Sequence, residues 1–166
     1  MKVWCLLFFI FAMRSAGAQS PAGEWQHVSK QDVLNAKTID RYVLFGKYLS
    51  PPKVTAGENQ PTLVVECHAQ KVLQNFVNVG AVVNSRFMEA RLDGKRFTLD
   101  GDSISTDGLA VFFSRLDLGK VLVGHTLILG ADEYLGAQVI MQFDLPDSSI
   151  VFAGCGRDIF LKQVKR

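Results

Sequence analysis

The 166-residue chain is short of the residue types that do chemistry. Its three histidines, His27, His68 and His125, lie far apart, and none stands in a ligand pattern such as His-Glu-x-x-His. A zinc site needs three or four converging ligands, so this spacing offers no metal centre. There is no Gly-x-Ser-x-Gly elbow for a nucleophile and no glycine loop to cradle a phosphate. After the first thirteen residues no apolar run approaches the length that spans a bilayer as a helix. Internal repeats and low-complexity stretches are absent too. These gaps leave no catalytic, cofactor-binding or metal-binding residue to name, and the expectation is a protein that is not an enzyme and carries no cofactor.

The first residues carry a recognisable pattern. Lys2 is followed by an apolar run from Val3 to Met13, then Arg14 and Ser15-Ala16-Gly17-Ala18. A basic start, an apolar core of this length and small residues before a cut after Ala18 describe a secretory signal peptide at residues 1–18. The alternative is a helix packed on the fold, against which Arg14 and Ala-Gly-Ala count as poor helix interior. Cleavage would remove two of the 18 basic residues, Lys2 and Arg14, leaving 16 against 16 acidic ones. A neutral domain at residues 19–166 gives no electrostatic case for nucleic acid or for an anionic membrane surface. The expected location is periplasmic or extracellular, without a membrane span in the mature chain.

Cysteine is also scarce, at three residues, and Cys5 falls within the leader. In an oxidising compartment Cys67 and Cys155 are then the one possible disulfide. Closing so long a loop would stabilise the fold by roughly 4 kcal/mol on chain-entropy grounds. Two buried thiols are the alternative.

Period-two alternation dominates the remainder. Along Gln138 to Leu145 one side carries Val139, Met141, Phe143 and Leu145, which marks a half-buried strand ended by Pro146. Further strands are expected at 24–28, 41–48, 62–67, 71–79, 109–113 and 125–129. Asp93-Gly94 between alternating runs is a two-residue hairpin turn, because glycine accepts positive φ without strain. Its register sets Leu92 opposite Lys95, Arg91 opposite Arg96 and Met88 opposite Leu99, with Met88, Ala90, Phe97 and Leu99 on one face. The Arg91–Arg96 pair of like charges should cost a few tenths of a kcal/mol, partly offset by neighbouring Glu89. Two helical turns are expected: one opened by Ser29 with Asp32, placing Val33, Leu34 and Ala36 inward, and one opened by Ser114 with Asp117, placing Leu116 and Val121 inward. The tail 157–166 is expected as a frayed end or last strand. The resulting fold class is mainly β, an antiparallel β-sandwich or open barrel with one or two short helices.

Acidic residues gather at Asp93, Asp100, Asp102 and Asp107, and again at Asp132 and Glu133. They could hold calcium or form a carboxylate pair, yet aspartate is also the residue that turns prefer. Trp25, Phe87, Phe112, Phe113 and Tyr134 could line a pocket, or simply form core. A hydrolase would require His125, Asp132 and Glu133 to converge in one cleft.

Several short motifs fall in a familiar order: Trp25 with Ser29, Leu63-Val64-Val65-Glu66-Cys67, Arg91-Leu92-Asp93-Gly94-Lys95, Ser105 and Asp107 before Leu109 to Phe113, then Gln142-Phe143-Asp144-Leu145 and Cys155. Together they resemble the periplasmic type VI secretion-associated proteins of the TagO/VasI family. The sequence departs from that pattern at Phe97, where a tryptophan is usual, and at Pro146, where glycine is expected. The resemblance implies a non-enzymatic β-sandwich accessory module paired through Cys67 and Cys155, with a protein or cell-envelope component as partner. The competing readings are a small envelope hydrolase and a lipocalin-like ligand carrier.

Overall fold

The computed structural model describes residues 23–32, 36–53 and 60–156. The expected signal peptide, Val33 and Leu34, and the basic tail lie outside these residues. The molecule is mainly β, and the described residues form ten strands and two helices of seven residues each. In chain order the elements are β1 (Trp25–Asp32), β2 (Lys37–Phe45), β3 (Lys47–Ser50), β4 (Thr62–His68), β5 (Lys71–Asn78), β6 (Phe87–Leu92), β7 (Lys95–Ile104), β8 (Ala110–Phe113), α1 (Arg115–Val121), β9 (Thr126–Asp132), β10 (Gln138–Asp144) and α2 (Ser149–Cys155). The sheet order is β1-β2-β4-β5-β8-β7-β6-β9-β10-β3, antiparallel throughout.

This sheet folds over on itself because two stretches of chain turn corners. The first half of β7 pairs with β6, whereas Gly101 to Ile104 pair with β8. On the other side β2 pairs with β4 and β3 pairs with β10, with only Gly46 between them. One layer therefore holds β1, β2, β4, β5, β8 and the end of β7. The other holds the start of β7 with β6, β9, β10 and β3. Inward rows from both layers merge into one core that includes Leu44, Leu63, Val65, Val77, Val111, Met88, Leu99, Leu129, Met141 and Phe143. Each fully buried side chain of this size stabilises the fold by about 1.5–3 kcal/mol.

The β6–β7 hairpin has the expected register, from Leu92↔Lys95 to Met88↔Leu99. Asp93 and Gly94 both have positive φ, at 50° and 81°. The β10 strand buries Val139, Met141 and Phe143, with Leu145 just beyond. The Ser114 hydroxyl accepts the Asp117 N–H at 3.2 Å and starts α1. That helix buries Leu118, Val121 and Leu122 but leaves Leu116 exposed, contrary to expectation. It is also tied to the sheet, where the Arg115 guanidinium donates to the Val72 carbonyl.

Elsewhere the chain departs from its sequence pattern. Ser29 and Asp32 open no helix: both lie in β1, which pairs with β2 along its full length. The Ser29 hydroxyl donates to Asp40 across the hairpin, and Ala36 stands exposed in the turn with φ 51°. Continuous strand pairing outcompetes a two-residue capping motif. The expected strand 41–48 is two strands divided at Gly46. Residues 149–155, where no element was expected, form α2. Cys155 on α2 is disulfide-bonded to Cys67 on β4, with Cα atoms 5.3 Å apart and a sequence separation of 88. The β4 strand is buried on both faces, since Val43, Val64, Phe76 and Phe112 form an apolar row across the outside of its layer.

The backbone generates two tests. A Cβ at Gly101 would stand 2.6 Å from both the Arg86 carbonyl oxygen and the Val111 side chain, so Gly101→Ala should destabilise the domain by about 1–3 kcal/mol. A thermal midpoint equal to wild type would show that the corner tolerates a side chain. The β4–β5 turn places Ala69 and Gln70 at φ 47° and 60°, a conformation that suits asparagine and glycine. Replacing the pair by Asn-Gly should raise stability by about 1 kcal/mol in urea denaturation.

Candidate binding surface

Alternation along the second layer sends one row of each strand into the core and the other outward. The outward rows carry Leu49 from β3, Gln138 and Ile140 from β10, Ile128 and Gly130 from β9, Glu89 and Arg91 from β6, and Arg96 and Thr98 from β7. Strand register arranges them as two lines across the sheet. Ile140, Gly130, Glu89 and Thr98 are successive partners in one, and Gln142, Ile128, Arg91 and Arg96 in the other. The surface is concave, enclosing a groove of about 560 Å³. Gly130 lowers the floor at its centre, where the Gln138 amide lies over the backbone, and a register shift falls between Ile140 and Met141 where β10 meets β3.

The charges on this face are unusual for the molecule. Arg41 pairs with Glu66, Arg86 with Asp100, and Arg115 bonds the Val72 carbonyl. Arg91 and Arg96 sit directly opposite each other, and among the described residues neither guanidinium has an ion pair or hydrogen bond. Glu89, on the same strand as Arg91, faces Thr98 and Gly130 and forms an ion pair with neither guanidinium. The groove thus has a cationic end at β6 and β7 and an aliphatic end at Leu49, Ile128 and Ile140.

The residues singled out for chemistry are placed apart. His125 precedes β9 and Asp132 ends it, about 23 Å away at the rise of an extended strand. Glu133 is buried and accepts the Lys53 N–H at 3.2 Å, holding the chain after β3. The hydrolase trio is therefore not assembled. Asp93 accepts the backbone N–H groups of Thr126 and His125 at 2.9 and 3.0 Å, which hold its carboxyl below the usual range. Asp107 accepts the Ser105 hydroxyl and the Leu109 N–H, with the same effect. Both are turn aspartates. Among the described residues no group of three or more His, Cys, Asp or Glu could hold a metal ion. Trp25 and Phe113 are buried, Phe87 and Tyr134 are exposed, and Phe112 stacks obliquely with Phe76 on the outside of the first layer, so these aromatic residues line no common pocket.

One constellation was not anticipated from the sequence. His27 and Ser29 on β1 both meet the same Oδ1 of Asp40 on β2, the imidazole at 2.9 Å and the hydroxyl at 2.5 Å. The His27 ring also stacks on Tyr42 at 4.7 Å. A hydrolytic relay requires the serine to hand its proton to the histidine. Here it bonds the carboxylate instead, so the cluster latches β1 to β2. Only the hairpin register, which sets Ser29 against Asp40, could have revealed it.

No family model, no curated protein and no solved structure matches the chain.

The latch predicts a pH dependence. Ser29 first, then His27, hold the Asp40 carboxyl below its ordinary value of 3.8. Its contribution is complete above the unfolded-state value and is lost as pH falls through the lower folded one. For so exposed a group the loss amounts to a few tenths to about 1 kcal/mol. NMR titration of the Asp40 carboxyl should give a midpoint below 3.8, and Ser29→Ala should move it upward. A midpoint at or above 3.8 in the unsubstituted protein would remove the latch.

Proposed function

We propose that this is an exported, non-enzymatic β-sandwich that works by binding a protein or cell-envelope component through the outer face of its second layer. The carrying observation is that face: it is concave, part aliphatic, and holds two guanidinium groups without an ion pair among the described residues. A surface so left is suited to a partner rather than to bulk solvent. Export is supported by the leader-like stretch at residues 1–18 and by the Cys67–Cys155 disulfide, which persists in oxidising compartments. The likeness to type VI secretion-associated periplasmic proteins points to an accessory role in an envelope assembly.

A lipocalin-like carrier would need a hollow interior. The inward rows instead place Phe143, Met141, Met88, Leu63 and Leu99 at 0 % exposure between the layers, leaving the groove on the outside. Among the described residues no helix is long and apolar enough to cross a membrane.

Photo-crosslinking in the producing cell tests the proposal. A crosslinking residue at Thr98, on the face, should yield an adduct with an envelope protein, whereas one at exposed Lys120 on α1 should not. The mature protein should begin at Gln19. The absence of any adduct from the face would overturn the binding surface. Turnover of a peptidoglycan or peptide substrate, abolished by a single substitution, would overturn the non-enzymatic reading.

A further inference from the structure

We infer that the groove takes an extended acidic segment of a partner protein, with one side-chain carboxylate held jointly by Arg91 and Arg96 and aliphatic side chains set over Ile128, Ile140 and Leu49. This deepens the binding reading above and rests on it.

Two arginines opposite each other repel, and an arriving carboxylate converts that repulsion into attraction. Guanidinium groups present planar forks of donors that match a carboxylate's two oxygens, which makes this anion a geometric fit as well as an electrical one. Strand spacing then defines the side chains that belong beyond the carboxylate. Strands lie about 4.8 Å apart, so Leu49 on β3 stands three spacings, about 14 Å, from Arg91 on β6. An extended peptide running across the strands repeats each side every two residues, about 6.7 Å. With the carboxylate at one position, the side chain two residues on lies above Ile128 and Ile140, and the one four residues on lies above Leu49. At Gly130 the floor is low, and only the flexible Gln138 amide, which would swing aside, lies over the backbone where the chain crosses.

Other occupants fit less well. Sugar-binding faces offer exposed aromatic platforms, whereas the one ring that borders this groove, Phe97, is half-buried and packs against the core. Single-stranded nucleic acid also calls for stacking rings and a longer run of cations. A planar bilayer cannot fill a concave face. A second copy docked face to face would bring four guanidinium groups together.

The test uses the full chain and an N-acetylated, C-amidated peptide, Ser-Glu-Ser-Leu-Ser-Leu-Ser. NMR should show the Nε–H signals of Arg91 and Arg96 and the methyl signals of Ile128 and Ile140 moving together on titration. Replacing the peptide's glutamate by glutamine should weaken binding about tenfold, as should replacing both leucines by serine. Arg91→Gln and Arg96→Gln should each weaken it at least tenfold without lowering the thermal midpoint, while Arg86→Gln, which alters an arginine already paired with Asp100, should leave it unchanged. Equal binding of the glutamate and glutamine peptides, or no shift at millimolar peptide, would overturn the inference. So would inorganic phosphate or acetate moving the arginine signals as strongly, since that would mark a simple anion patch. If the Thr98 adduct forms undiminished in the Arg91→Gln/Arg96→Gln protein, the carboxylate clamp is wrong while the binding surface stands. If the unsubstituted protein gives no adduct there, the surface itself is wrong.

Discussion

A sheet of ten strands can bury only one of its faces by folding over, and in this protein two glycines make the fold possible. At Gly101 the β7 strand leaves one layer for the other, and at Gly46 the chain does the same between β2 and β3. Neither position demands an unusual backbone angle; each demands space. A Cβ at Gly46 would lie 2.7 Å from the Gln142 carbonyl oxygen and 2.8 Å from the Phe143 ring, so strand and core meet there without room for a methyl group. Every inward contact between the layers depends on these two close approaches. So does the concavity of the outer face, because β3 is delivered beside β10 only after the turn at Gly46.

The second organising tie is chemical. Cys155 joins α2 to β4, the strand most completely enclosed, and the neighbouring Gly154 lies against the Tyr42 phenol with no space for a side chain between them. Burial, and then the nearby Asp40 carboxylate, raise the Tyr42 hydroxyl above its ordinary value, keeping it neutral where it packs. The outside of β4 is closed differently: Glu66 there is buried, held by the Arg41 guanidinium and by Gln74. Removing the Arg41 guanidinium would leave this buried carboxylate without a counter-charge, the costly half of a buried ion pair.

Much of this fold was legible where two local signals agreed. In the β6–β7 hairpin, turn residues and hydrophobic alternation specified the same register independently. Along β10 the alternation was uninterrupted, and at α1 the Ser114 cap stood at a clear boundary. The Ser29–Asp32 motif misled because capping residues are equally at home in an exposed strand, and only the partner strand decides between the two. The β4–β5 turn carries neither glycine nor asparagine, so its tight geometry left no mark on the sequence. For α2, the run Ser149-Ile150-Val151-Phe152-Ala153-Gly154-Cys155 is under two helical turns and rich in β-branched and aromatic residues. Its helical state comes from packing and from the disulfide. The candidate surface was half visible: the opposition of Arg91 and Arg96 followed from the hairpin, but Leu49 and Ile140 join them only through the strand order β6-β9-β10-β3.

The first strand stands apart energetically. Of β1 only Trp25 is buried, while His27, Val28, Ser29, Lys30 and Gln31 are open to solvent on both faces. Trp25 anchors the start of the strand in the core, but beyond it almost nothing hydrophobic would be surrendered if residues 27–32 swung away, so the ladder to β2 and the Asp40 latch carry most of their attachment. Detachment of residues 27–32 would leave the core intact and bare the edge of β2 that pairs with them. Here a rigid body carries one margin that can be exchanged, and a foreign strand of matching length could occupy the place of the native one.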